Sequence, residues 1–201
     1  MTELSPAPNA NTLLRVTAAA PSFRDLVFSD LAVYRPQERR TWLRLALRCL
    51  VYPGLLACVL VRAQQCLFRA GHVSLANVVR TLAVAAVGTD VTPGAMFGTG
   101  LYLAHPVGVV IGNRATIGDG VTFASGVVVG SRQPTGPGAA EGHATIGDGA
   151  ILAAHAVILG NVTVGRHALV AANSVVLADV PDYAVVAGSP AKVVGSRAPT
   201  A

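Results

Sequence analysis

The residues that can do chemistry here are few: five histidines, and only ten aspartates and glutamates, in a chain of 201 residues. His105 stands in the stretch LAHPVGVVIG (103–112), between apolar residues and followed by a proline and glycines. Asp90 lies fifteen residues before it, and His143 stands near the end of the stretch GSRQPTGPGAAEGHAT (130–145). An imidazole, with an ordinary pKa of about 6.5, is the natural general base for taking a proton from a hydroxyl at neutral pH. A carboxylate beside it fixes its tautomer and stabilises the imidazolium. The competing reading is a histidine that is merely hydrogen-bonded in a polar corner. A third arrangement, a metal held by His105, His143 and one of His155 or His167, requires three histidines to converge. His155 and His167 read as solvated surface residues and His72 as a helix-end cap or packing residue.

Cys49, Cys58 and Cys66 form no C-x-x-C pair and fall in one apolar region, so they read as buried thiols in a reducing compartment rather than as nucleophiles, a disulfide or a zinc framework. The formal charge of +5 does not indicate nucleic acid: the densest basic group, Arg35, Arg39, Arg40, Arg44 and Arg48, has no aromatic stacking platform. An anionic small molecule fits the charge at least as well. Residues 1–20 begin acidic and lack the basic start of a secretory signal. The apolar stretch CLVYPGLLACVLV (49–61) is too short to span a bilayer and contains Pro53; it reads as a buried helix, not a membrane contact. With 52% apolar residues and 12% charged, the chain is expected to bury surface in an oligomer.

Two periods organise the chain. Residues 1–20 are expected to form a disordered tail, and residues 21–86 a small helical domain. Its helices are expected from Phe23 to near Pro36, from Glu38 to before Pro53, over 55–70 with Gly71 as the stop, and over 74–86. After Gly88 the period becomes six. The markers are Val91, Phe97 and Leu103, then, after a two-residue slip, Ile111, Ile117, Phe123 and Val129, and later Ile146, Leu152, Ile158, Val164, Val170 and Val176. Units such as IGNRAT (111–116), IGDGVT (117–122), IGDGAI (146–151) and VGRHAL (164–169) put a second inward residue, small or β-branched, four positions after the marker. Each hexad then makes one short strand and one corner, and three make a triangular coil. With about eighteen residues per coil, Asp90 and His105 fall on adjacent coils. The spacing from Val129 to Ile146 is not a multiple of six, so 130–145 leaves the solenoid as a loop. The fold expected is therefore α+β by segments: the helical domain, a parallel β-helix over 87–186 with one extruded loop, and a C-terminal tail over 187–201.

The hexads, together with GTDVTPGAMFGTGLYLAHPVGVVIG (88–112) and VVAGSPAKVVG (185–195), resemble the left-handed β-helix acyltransferases, and among them the serine O-acetyltransferases. A weaker similarity extends into YPGLLACVLVRAQQCL (52–67). The resemblance implies a left-handed coil, a homotrimer in which the helical domain can join two trimers into a hexamer, and acetyl-CoA as cosubstrate in the groove between solenoids. It also implies a small hydroxyl acceptor, no metal, and a cytoplasmic place at the entry to cysteine synthesis. By the same resemblance, His105 is the catalytic base, Asp90 the residue that orients it, and His143 an acceptor-binding residue. Ala153, Ala154, Ala171 and Ala172 are small positions for the pantetheine arm, with Lys192, and also Arg197, near the phosphates. The family's aspartate before the catalytic histidine is Ala104 here, and its arginine before the second histidine is Gly142. The acceptor implied is therefore L-serine or a serine-like compound, with a sugar or secondary-metabolite hydroxyl as the alternative.

Overall fold

In the computed structural model, residues 21–132 and 143–197 are described; the tail over 1–20 and most of the loop lie outside them. Four helices come first. Ser22 caps α1 (Phe23–Tyr34) in a reciprocal capping box with Asp25, and the Thr41 hydroxyl caps α2 (Trp42–Val51). Pro53 occupies the first turn of α3 (Pro53–Arg69), where its missing N–H costs nothing. Gly88, left-handed at φ 68°, ends α4 (Val73–Val87). The apolar stretch 49–61 is thus not one buried helix: Pro53 divides it between the exposed end of α2, where Leu50 is 83% exposed, and the buried start of α3. Among the described residues, no helix is long and apolar enough to cross a membrane.

The rest is a left-handed parallel β-helix with three faces. The first carries β1 (Asp90–Val91), β4 (Val110–Ile111), β7 (Val128–Gly130), β10 (Val157–Leu159) and β13 (Val175–Val176). The second carries β2 (Met96–Phe97), β5 (Thr116–Ile117), β8 (Thr145–Ile146) and β11 (Thr163–Val164). The third carries β3 (Tyr102–Leu103), β6 (Thr122–Phe123), β9 (Ile151–Leu152), β12 (Leu169–Val170), β14 (Ala184–Gly188) and β15 (Ala191–Ser196). All the hexad markers point inward and are at most 5% exposed. The second inward positions, such as Ala115, Val121, Ala144, Ala150 and Ala168, fill the remaining interior.

Two features depart from simple periodicity. Asp90 pairs with Val110, twenty residues on, whereas Val110 pairs with Val128, eighteen on. Tyr102 also pairs with Thr122, so the two additional residues fall between Leu103 and Val110, at His105. Second, residues 187–196, expected as part of a tail, are ordered: β14 runs parallel to β12, then turns through Gly188 (φ 98°) and pairs antiparallel with β15. The β-branched runs on either side of this turn close the last coil as a hairpin instead of starting another hexad.

The helical domain is joined to the first coil by a buried ion pair. Arg62 on α3 and Asp30 on α1 are both 0% exposed and meet through two bonds of 2.8 Å. Arg62 also donates to the carbonyls of Phe97 and Gly98 and to Gln65, while Asp30 accepts the Leu101 N–H at 2.8 Å. Removing one partner strands the other charge without water. Arg62→Ala is therefore expected to lower the unfolding free energy by about 3–5 kcal/mol, read from the urea midpoint. Replacing both charges by apolar residues (Asp30→Leu with Arg62→Met) is expected to cost less; equal losses would show that the ion pair is not what governs this junction.

Candidate active site

His105 lies at the edge where the chain passes from the third face to the first, exposed, at the start of the two-residue expansion. Three contacts hold this corner. The Tyr34 hydroxyl, from the end of α1, donates to the Leu103 carbonyl at 2.7 Å. The Thr89 hydroxyl donates to the Pro106 carbonyl at 2.7 Å. Gly54, at the start of α3, packs so closely that a Cβ there would lie 1.9 Å from the Leu103 oxygen. Beneath them, Cys58 donates its thiol to the Leu101 carbonyl at 3.5 Å and lies 3.8 Å from the Tyr34 hydroxyl. Burial pushes the Tyr34 phenol far up and the Cys58 thiol up to about 12, so both stay protonated and act as donors.

Asp90 is on the first face, one coil before His105, but its carboxylate is held by Arg80 of α4 through bonds of 2.5 and 2.9 Å. Among the described residues no hydrogen bond joins Asp90 to His105. Arg80 has no counterpart in the sequence reasoning, because the pairing depends on how α4 lies against β1.

The proposed cofactor residues and His105 share one edge. The register Tyr102–Thr122–Ile151–Leu169–Val185 on the third face places Ala104, Ala124, Ala153, Ala171 and Ala187 one above another, two residues past each strand position. Backbone bonds continue that ladder, from Ala104 N–H to Phe123, Ala124 to Leu152, Ala153 to Val170 and Ala171 to Val186, each at 2.9–3.0 Å. The next residue in each coil gives a parallel column of His105, Ser125, Ala154, Ala172 and Gly188. Lys192, on β15, pairs with Ala187 at the far end. His155, expected to be a solvated surface residue, is exposed but stands on this same edge, its ring lying over Gly126, where a Cβ would meet it at 2.2 Å. His167 stacks on Tyr183 at 5.2 Å, and the Arg197 guanidinium reaches the His167 carbonyl at 3.4 Å.

His143 is on a different edge, between the first and second faces. Thr116 pairs with Thr145, so His143 follows Arg114 by one coil. The two flank an open cleft of about 830 Å3 with Arg80, Thr92, Asn113, Gly112 and Gly130. Within one chain the first face separates His143 from His105. Among the described residues no three His, Cys, Asp or Glu side chains converge as a metal site would require.

The fold is shared with known proteins. Residues 142–178 match the bacterial transferase hexapeptide (six repeats) family. Soybean serine acetyltransferase complexed with serine superposes with a TM-score of 0.76 at 34% identity, covering 92% of this chain and 74% of that one. The chain belongs to the serine acetyltransferase family. The Brucella abortus serine acetyltransferase in complex with coenzyme A superposes with a TM-score of 0.77 at 29% identity, covering 94% and 73%. Helicobacter pylori serine acetyltransferase is 37% identical over 87 residues, 43% of this chain and 48% of that protein. The match thus spans about half the length of the Helicobacter pylori protein and 33% of the Synechocystis serine acetyltransferase.

Two outcomes follow from how the His105 corner is supported. Cys58 is expected to resist iodoacetamide at pH 8 in the native protein and to react once denatured, whereas the half-buried Cys49 and Cys66 react sooner, as resolved by peptide mass mapping. Gly54→Ala is expected to cost about 1–3 kcal/mol of stability, since the obstructing atom is backbone; an unchanged melting temperature would contradict the close packing.

Proposed function

We propose that this protein is an acetyl-CoA-dependent O-acetyltransferase that acylates the hydroxyl of L-serine or a serine-like compound, with His105 as general base. The observation that carries this reading is the alanine ladder, with His105 at one end and Lys192 at the other. Four coil steps at about 4.8 Å give roughly 19 Å, comparable with an extended pantetheine arm. Ala153, Ala154, Ala171 and Ala172 let such an arm lie against the backbone, and Lys192 is placed to meet phosphate oxygens. Acetyl-CoA supplies the acetyl group as an activated thioester. His105 removes the acceptor's hydroxyl proton as its oxygen attacks the thioester carbon, and returns that proton to the departing thiolate. Asp90 is proposed to orient the imidazole. A carboxylate has about four acceptor sites, so its pairing with Arg80 does not exhaust it.

His143 is proposed to bind the acceptor. Because it lies on another edge of the same chain, the complete site requires a neighbouring copy, the edge bearing His105 of one subunit facing the edge bearing His143 of the next. A homotrimer satisfies that for all three sites at once. The helical domain can further join two trimers into a hexamer. The free thiols fit a reducing cytoplasm. The second reading, another hydroxyl acceptor such as a sugar or a secondary-metabolite intermediate, is favoured by Ala104 beside His105, where no carboxylate can meet an ammonium group.

Coenzyme A release, measured across amino acids, amino alcohols and sugars, tests the assignment. His105→Ala is expected to lower turnover about 100-fold or more without loss of folding. Undiminished turnover in this variant would remove the mechanism, and release only with acceptors unlike serine would remove the leading acceptor.

A further inference from the structure

Helix α2 presents most of its apolar side chains to the outside. Its inward side is Leu45, buried among Val27, Phe28, Leu31 and Leu55, with Cys49 packed against the same cluster and Trp42 lying against Phe23 and Phe28. Leu43 and Leu47 are each two residues from Leu45 and so lie close to half a turn round the helix from it. With Leu50 and Val51 they follow the spacing i, i+4, i+7 and i+8, a single stripe, and they are 71%, 53%, 83% and 63% exposed. A helix that served only to cover the core would bury its periodic apolar stripe. Here the stripe faces away from the protein, and it includes Leu50 and Val51 of the stretch whose composition suggests burial.

The border of this stripe is basic. Between positions 35 and 48 the chain carries five arginines and one glutamate. Arg44 and Arg48 each follow a leucine of the stripe, Leu43 and Leu47, by one residue, and both hold Glu38, at 2.5 and 2.7 Å. With Arg35 these residues line an open cleft of about 460 Å3. Arg39 and Arg40 are exposed, and among the described residues no carboxylate pairs with them. Glu38 alone therefore leaves the group strongly cationic, within the reach of one helix of about 15 Å.

We infer that this face of α2 docks the protein on an anionic phospholipid surface. Leu43, Leu47, Leu50 and Val51 enter the boundary between headgroups and acyl chains, while Arg39, Arg40 and the arginines of the cleft meet lipid phosphate oxygens. At ten residues α2 lies on the bilayer and does not cross it. Apolar surface alone would equally admit a second copy of the chain. Two-fold contact between α2 helices, however, sets the two arginine groups against each other, whereas a bilayer containing acidic lipid offers both an apolar layer and the opposite charge. Neither the stripe nor its border includes a residue of the proposed acyl-transfer site, so the inference is independent of that reading.

Co-sedimentation of the full chain with vesicles of phosphatidylcholine alone, or of phosphatidylcholine with phosphatidylglycerol, tests it. Binding is expected to be about tenfold or more stronger with the acidic lipid and to weaken as salt is raised. Leu47→Ser combined with Leu50→Ser is expected to weaken binding to the acidic vesicles about tenfold or more, with the melting temperature unchanged because both side chains are exposed. Arg39→Gln combined with Arg40→Gln is expected to weaken it by about tenfold and to reduce its salt dependence. No sedimentation with acidic vesicles, equal binding to the two vesicle types, or undiminished binding in either double variant would overturn the inference. A fall in assembled mass on introducing the two serines, read by light scattering without vesicles, would also overturn it, by showing the stripe to be a contact between copies.

Discussion

The buried pair of Arg62 and Asp30 is the constraint on which the arrangement turns. Neither charge touches water, yet each has its bonding capacity used. The five N–H donors of the guanidinium are matched by two bonds to Asp30, two to backbone carbonyls of the first coil and one to Gln65. A buried ion pair of this kind is weak evidence for net stability, because desolvation offsets the attraction. Its contribution is positional: only one placement of α1 and α3 against the first coil satisfies all these groups together. The apolar contact agrees, since Ala57, Cys58 and Val61 of α3 belong to the same core as the coil interior.

That placement also sets what surrounds His105. With α1 and α3 docked, Tyr34 and Gly54 arrive at the Leu103 carbonyl, and the corner carrying His105 is fixed from the helical side. With α4 lying along β1, Arg80 reaches Asp90 and becomes one wall of the cleft at the edge between the first and second faces. The helical domain is thus both a cap for an exposed coil end and the support of one side of the site. Coil ends need covering because their strand edges otherwise remain unpaired.

The sequence made the solenoid legible because its interior repeats: Val91, Phe97, Leu103 and the markers that follow obey a spacing that only an inward-facing column explains. The slip at His105 was equally visible, since a broken period is as informative as a kept one. Ala153, Ala154, Ala171 and Ala172 were picked out as small positions, but their alignment with Ala104 and His105 depends on the register across an interruption of unknown depth. Arg80 and Tyr34 were missed for a different reason. Tyr34 meets Leu103 across 69 residues, and such contacts follow from how helices pack, which no local period encodes. The closing hairpin was hidden because Val185, Val186, Val193 and Val194 no longer follow the hexad spacing, and strand return is set by the turn at Gly188.

The interruption between β7 and β10 shows something about how such an edge can change. Val157 still pairs with Val128, twenty-nine residues earlier, in the register that an eighteen-residue coil would give. The distance from His105 to Ala187, the rung beside which Lys192 pairs, is therefore counted in whole coils, each about 4.8 Å, and is indifferent to what is inserted at a corner. The edge behaves as a ruler with fixed graduations. If the proposed acyl donor lies along this edge, inserting or deleting one coil would lengthen or shorten the ligand accommodated by one graduation without touching His105. Changes at the corners would alter what is acylated without changing that length, so the two halves of specificity can vary separately.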